Sequence, residues 1–278
     1  MINYNGNFKD KFSIHFNNRG FLFGDSVFET IKVVNNNLLF WEEHYLRLMS
    51  SMRILRIRIP NLYTPEFLEN EIKKTNSNFN KSFSGRVRLT IFRDGKDLYL
   101  PESNEPVFLI NSKETKETSF NINSGIYKVD IYKEYFIQSN LLSNIKSNNR
   151  LINVLGSIYA KENELDNCII LNDQKNVAEF LNGNIFIVKD KKVTTPPVSS
   201  GCLDGVMRKK IIESLKQSQI LSFEEKNISP FELISSDEIW ISNSISGIIP
   251  VTEYRKKRFS KMFAQTMVEY FNKKIMEF

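Results

Sequence analysis

Two hydrophobic periods alternate along the chain. Val27 to Val34 (VFETIKVV) and Leu38 to Phe40 (LLF) are β-branched and aromatic runs around an Asn-rich turn, the pattern of two strands joined by a short hairpin. From Trp41 the period lengthens. His44, Leu48, Ser51 and Leu55 fall on one stripe with Leu46, Met49 and Met52 nearby, which predicts a helix over 41–55. A second helix is predicted over 64–74, with Thr64 as N-cap and Pro65 at the first helical position, where its missing N–H costs nothing. RVRLTIFRDG (86–95) alternates and stops at an Asp-Gly turn, so it reads as a strand, and PVFLIN (106–111) closes this half.

NSKETKETSFNINSG (111–125) is polar, with little apolar content, and reads as a linker. Beyond it, strands are predicted at IYKVDIYK (126–133), CIILN (168–172), VAEFL (177–181), NIFIVKD (184–190) and SDEIWISNS (236–244). Helices are predicted over 150–163, over 204–218 with Asp204 as N-cap, and from Ser260 onward, while VTTPPVSSG (193–201) reads as a loop. No internal repeat or low-complexity tract is evident. Strands and helices mix in both halves, so a mixed α/β (α+β) architecture in two domains is expected: 1–112, a linker over 113–124, and 125–278.

Composition narrows the chemistry. With 278 residues, 41% hydrophobic and 25% charged, the chain can bury a sizeable core and has the balance of a soluble globular protein. No stretch approaches the roughly 18 apolar residues that cross a bilayer. The start, MINYNGNFKD, lacks the basic and apolar segments of a secretory signal. Two cysteines without a CxxC pair, and only two histidines, make neither a disulfide scaffold nor a multi-histidine metal site. A reducing cytoplasm is the expected compartment. Chemistry must then rest on lysine, carboxylates, hydroxyls or a cofactor. The net charge of +6 suits steering of small anions, and equally a plain lysine-rich composition. Only YRKKRFSK (254–261) is dense in basic residues, so neither nucleic acid nor membrane is the expected partner.

Four short signatures stand in order: EEHYLRL with His44 and Arg47, NIKSNNRL with Lys146, VAEFLNGNIF with Glu179 and Asn184, and GVMRKK followed by SNSISGIIPV. Each alone reads as well as a surface charge, a strand carboxylate or a turn glycine. Together, from RGFLFGDSVFET to SGIIPV, they resemble the class-IV (fold type IV) pyridoxal-phosphate enzymes, which include branched-chain aminotransferases, D-amino acid aminotransferases and aminodeoxychorismate lyases.

The resemblance implies a small N-terminal α/β domain, a larger β-barrel-like C-terminal domain with flanking helices, and pyridoxal 5′-phosphate as cofactor. By match to the family, Lys146 is the Schiff-base lysine, and Glu179 the acid that keeps the pyridine nitrogen protonated. The helix start at Gly205, Val206 and Met207, the Arg47 guanidinium and the Ser244 hydroxyl would hold the phosphate. Met207 stands where many relatives carry threonine, which removes one side-chain contact. Arg93, Lys96 and Arg150 are candidates for substrate carboxylates, Asn149 belongs to the lysine motif, and Phe23 and Asp25 would line the small-domain wall. His44 is expected to pack between helix and strand rather than to act as a base. The family also implies a homodimer in which a loop of the second subunit completes the site.

Within the family, KxxNRL (Lys146, Asn149, Arg150, Leu151) and NSISGIIPV (Asn243, Gly247) are similar to the lyase forms of these motifs, and the Arg-x-His carboxylate trap of D-amino acid aminotransferases is absent after Arg93. The expected activity is therefore release of pyruvate and 4-aminobenzoate from 4-amino-4-deoxychorismate. A branched-chain or other transaminase is the alternative within the family. A non-catalytic basic binding protein is the alternative outside it.

Overall fold

The apolar run after Asp25 becomes the buried middle of a sheet. The computed structural model describes residues 1–276 apart from 78, 80, 81, 123 and 218–220. It divides into two units, Met1–Ser119 with Ile145–Asn149, and Phe120–Asn144 with Arg150–Phe278.

The first unit contains β1 (Ile2–Tyr4), β2 (Asn7–Lys9), the short helix α1 (Arg19–Leu22), β3 (Ser26–Val34), β4 (Asn37–Leu38), α2 (Trp41–Ile54), α3 (Pro65–Asn76), β5 (Gly85–Arg93) and β6 (Pro106–Glu114). Among the described residues its strands form one antiparallel sheet in the order β2-β1-β6-β5-β3-β4. The Asn-rich turn is a two-residue hairpin: Asn35 and Asn36 both adopt positive φ (49° and 67°), which asparagine tolerates and this turn requires. β4 is shorter than expected. Leu39 and Phe40 leave the sheet, and Phe40 turns through φ 58° to start α2. That helix has no side-chain cap, but Glu42 and Glu43 in its first turn face the positive end of its dipole. It buries His44, Leu48, Met49, Ser51 and Met52, whereas Leu46 of the expected apolar group is exposed. α3 starts as expected, with the Thr64 side chain accepting from Phe67 N–H and Pro65 in the first turn. Between sheet and helices lies a core that includes Ile31, Leu48, Met52, Leu68, Ile72 and Leu89.

The expected linker is only partly one. β6 continues to Glu114, because Ser112 still alternates inward. Phe120 is buried, and its N–H and carbonyl are held by the Asn272 amide at 2.8 Å each. Asn123 lies outside the described residues.

The second unit holds β7 (Lys128–Ile131), α4 (Leu141–Asn144), α5 (Leu151–Glu162), β8 (Asn167–Leu171), β9 (Val177–Phe180), β10 (Gly183–Lys189), β11 (Lys192–Thr195), α6 (Val206–Gln217), β12 (Ser222–Glu225), α7 (Pro230–Ser235), β13 (Glu238–Asn243), β14 (Gly247–Val251), β15 (Glu253–Tyr254), β16 (Lys257–Arg258) and α8 (Met262–Met276). Among the described residues the sheet runs β12-β11-β10-β9-β8-β7-β15-β16, with β13 also pairing β10 and β14 pairing β13, so the sheet branches at β10. Its core includes Phe180, Ile185, Ile239 and Ile241.

One sequence expectation changes here. VTT of the supposed loop is β11, paired to β10 through a turn with Asp190 and Lys191 at positive φ. β14 accommodates Pro250, since it pairs on one side only and a proline there costs no ladder bond toward a second neighbour. The predicted end of the 204–218 helix, Ser218, lies outside the described residues.

Candidate active site

Lys146 sits in a segment that adds to the start of β3. Phe28 N–H donates to the Lys146 carbonyl at 2.8 Å, Asn148 N–H donates to the Ser26 carbonyl at 3.1 Å, and Val27 bridges Ser147. These bonds put residues 145–149 with the first unit, whereas the domain limits expected from sequence place the lysine in 125–278. The Lys146 side chain is half-buried, with Nζ 4.6 Å from the Phe28 ring centre. Arg88 lies over the same ring, its Cζ 3.6 Å from the centre, and donates to Asn148 Oδ1 at 2.8 Å and to Thr90 Oγ1 at 3.2 Å. One aromatic ring therefore serves two cations, each favoured by the negative π face. Burial, with the Arg86 charge behind it, pulls the Arg88 guanidinium down to about 10.

Beside Phe28 along β3, Glu29 points into a fully buried cluster. Arg47 donates to it from Nε at 2.8 Å and from Nη2 at 2.5 Å, and His44 Nδ1 lies 2.6 Å from Oε2. Burial alone would raise the Glu29 carboxyl, but the Arg47 charge and the hydrogen bonds of Arg47 and His44 outweigh it and hold it down at about 2. Burial pushes His44 below the usual imidazole value, against the pull of Glu29, and the charges of Arg47 and Lys146 add to that effect. The neutral ring then donates from Nδ1, leaving Nε2 a buried nitrogen with no hydrogen-bond partner. His44 packs between helix and strand.

Arg93 is corrected to a structural residue. All five of its N–H groups are engaged: Nε and Nη2 on Asp25, Nη2 also on the Leu55 carbonyl, and Nη1 on the Arg56 carbonyl and Asn104 Oδ1. It has no donor left for a substrate carboxylate. Asp25 also receives Arg19, whose buried guanidinium ties down the carbonyls of Lys96, Asp97, Leu98 and Tyr99. Phe23 packs against Tyr99 of that loop, ring centres 5.7 Å apart. The Lys96 side chain lines a separate polar hollow of about 680 Å³ with Lys9, His15 and Glu102. Asn149 is exposed and abuts Gly24, where a Cβ would come within 2.5 Å of Asn149 Oδ1. Arg150 caps α5 with its backbone only.

In the second unit the loop before α6 is clamped onto two strands. Glu179, 4% exposed on β9, accepts from Leu203 N–H at 2.8 Å, while Asn184 on β10 donates to the Leu203 carbonyl at 2.7 Å. Gly205 follows at such close range that a Cβ there would meet Asn184 Oδ1 at 1.9 Å, so any other residue forces Asn184 or the helix start to move. Val206 and Met207, both buried, open α6, whose first N–H groups point out of the helix by construction. Ser244 is half-buried in the turn between β13 and β14, where Asn243 Oδ1 accepts from Ile245 and Ser246 N–H.

The structure thus gathers Lys146 and Arg47 around β3 in one unit, and Glu179, Gly205, Val206 and Met207 around the α6 start in the other. Sequence reading missed Glu29 and Arg88. The available signal was the charged residues inside the two strands, Glu29 and Lys32 in β3 and Arg86, Arg88 and Arg93 in β5. Among the described residues, no group of His, Cys, Asp and Glu is placed to hold a metal ion, and no helix is long and apolar enough to cross a membrane.

Comparison with known proteins shows the family. The family model for amino-transferase class IV matches residues 26–254. The aminodeoxychorismate lyase of Vibrio harveyi is 30% identical over 236 residues, 84% of each chain. The D-alanine aminotransferase of Bacillus licheniformis is 26% identical, covering 86% of this chain and 82% of that one. The fold is shared with the branched-chain aminotransferase of Thermoproteus uzoniensis, at a TM-score of 0.88 with 20% identity over 99% of this chain and 94% of that one. A match that spans both units, from the first residue of β3 to the last of β15, makes the chain an enzyme of amino-transferase class IV.

Proposed function

We propose that the chain uses pyridoxal 5′-phosphate to convert 4-amino-4-deoxychorismate into pyruvate and 4-aminobenzoate. The residues fit the cofactor: a half-buried primary amine at Lys146, a buried carboxylate at Glu179, and a helix start where Gly205 leaves no room for a Cβ. When bound, the cofactor supplies an aldehyde that a lysine can hold and a protonated ring that withdraws electrons. Lys146 would hold it covalently and, once freed, take the proton from substrate C4. Glu179 would keep the ring nitrogen protonated. The N–H groups at 205–207, with Ser244 and Arg47, would hold the phosphate. Two nitrogens of Arg47 are committed to Glu29, so Glu29 sets the orientation Arg47 can offer.

The observation that carries the lyase reading is Arg88 on the Phe28 ring, the ring that Lys146 also meets. A fixed cation on the ring that Lys146 also meets suits a substrate with two carboxylates, as aminodeoxychorismate has, better than one with an apolar side chain. The first relative named above, a lyase at 30% identity, supports it too. The second reading is transamination by the same residues, favoured by the likeness to a D-alanine aminotransferase.

Borohydride reduction of protein incubated with the cofactor should label Lys146, and Lys146→Ala should abolish the label. Aminodeoxychorismate without any keto acid should yield pyruvate. If glutamate from an amino acid and 2-oxoglutarate is the sole turnover seen, the lyase reading is wrong. Protein that neither colours nor labels with the cofactor would instead favour a non-catalytic role.

A further inference from the structure

Helices α2 and α3 cover one face of the first unit's sheet, packing on Val27, Ile31, Val87, Leu89 and Ile110. Side chains alternate along a strand, so Phe28, Thr30 and Lys32 of β3 share the other face with Arg86, Arg88 and Thr90 of β5. On that face three cations stand side by side. Lys32 is paired directly with Arg86, and Arg86 with Lys113 on β6. Like charges opposite one another on neighbouring strands repel. Among the paired positions of β3, β5 and β6 on this face, none is Asp or Glu.

The Arg86 and Lys113 side chains are exposed, and neither has an ion-pair or hydrogen-bond partner among the described residues. Lys32 is 3% exposed, and burial pushes its amine below the usual lysine value, against the pull of the Glu117 charge. An anion lying across this rung would relieve the repulsion. Arg88 stands two residues from Arg86, about 7 Å along β5. It lies on the Phe28 ring that Lys146 also meets, so Arg86 is one rung farther from that ring. The substrate proposed above carries one carboxylate on the part released as pyruvate and one on the part released as 4-aminobenzoate. Two cationic stations along one strand match two carboxylates on one small molecule.

We propose that Arg86 and Lys113, with Lys32 beside them, receive the second carboxylate of a dicarboxylate amine whose first carboxylate Arg88 takes. Arg86 then separates dicarboxylates from monocarboxylates, given the reading of Arg88 above as a carboxylate receptor.

In calorimetric titration, the cofactor-loaded protein should bind 3-(carboxymethoxy)benzoate about tenfold or more tighter than 3-methoxybenzoate, which lacks the second carboxylate. Arg86→Met should cut that preference to about threefold or less and leave the affinity for 3-methoxybenzoate unchanged. Arg86→Lys should recover part of it, and Arg88→Met should weaken both ligands. An unaltered protein without the preference overturns the second site. So does an Arg86→Met protein that keeps the full preference or loses affinity for both ligands alike, while Arg88 keeps its role. Where Arg86→Met fails to fold, Lys113→Met decides, and an unchanged preference there overturns the site. If Arg88→Met weakens neither ligand, the first station is wrong and the second falls with it. A protein that releases no pyruvate from aminodeoxychorismate, yet loses its dicarboxylate preference with Arg86→Met, refutes the lyase reading and upholds the site.

Discussion

Arg47 meets both carboxylate oxygens of Glu29, Nε to Oε1 at 2.8 Å and Nη2 to Oε2 at 2.5 Å, where Glu29 is 1% exposed. Such a pair is costly to break on one side, because the survivor keeps a buried charge. Glu29→Gln should lower unfolding free energy by about 3–5 kcal/mol, read from urea denaturation. A loss well below that would mean water reaches the cluster.

The same cluster sets an acid sensitivity. Glu29 is held at about 2 against an ordinary 4.5, so its contribution is complete above 4.5 and is lost as pH falls toward 2. That shift corresponds to on the order of 3 kcal/mol. His44, held below its ordinary 6.5, acts in the same direction: below 6.5 the unfolded chain takes up the proton first, so stability starts to fall there. Urea midpoints should fall from pH 7.5 to 5.5 and again to 3.5. His44→Gln should flatten the first step and keep the second.

Gly205→Ala has no space for its methyl group against Asn184 Oδ1. Either the α6 start shifts or the Asn184 bond to the Leu203 carbonyl breaks. Stability should fall by about 1–3 kcal/mol. Cofactor affinity, followed by fluorescence titration, should weaken roughly tenfold or more, equivalent to about 1.4 kcal/mol. Unchanged affinity would remove the α6 start from the phosphate site.

Arg88→Met tests the substrate reading. KM for aminodeoxychorismate should rise about tenfold or more, with a smaller change in kcat, and Arg88→Lys should recover only part, since it lacks the planar fork. A branched-chain amino acid should respond less. Equal effects on both substrates would make Arg88 a support for Phe28 rather than a receptor for carboxylate.

Glu238, fully buried, caps α8: it accepts from Phe263 and Ala264 N–H at 2.9 and 3.0 Å, and from Trp240 Nε1 at 2.8 Å. Glu238→Ala strands those donors. A loss of about 2–4 kcal/mol is expected, with faster proteolysis of the C-terminal helix.

Much of the fold was legible because it is local. The Asn35–Asn36 turn, the Thr64–Pro65 helix start and the alternation of β5 depend on backbone preferences that neighbouring residues set. The strand at 193–195 was hidden by Pro196 and Pro197 beside it, since a proline-rich stretch reads as a loop while its pairing to β10 depends on the fold. Arg93 and Arg88 show the limit most clearly. They lie five apart on β5, hence on opposite faces, and sequence cannot say which face meets Phe28 and which meets Asp25.

By itself the order of residues determined most of the longer elements, the mixed α/β class and the short motifs around Lys146, Glu179 and Gly205, since periodicity and glycine or proline chemistry act over a few residues. Only the tertiary structure decided that Glu29 holds Arg47 and that Arg88 shares a ring with Lys146. Those facts depend on which distant strand or helix a side chain meets, and burial converts that meeting into charge pairing that no local pattern encodes.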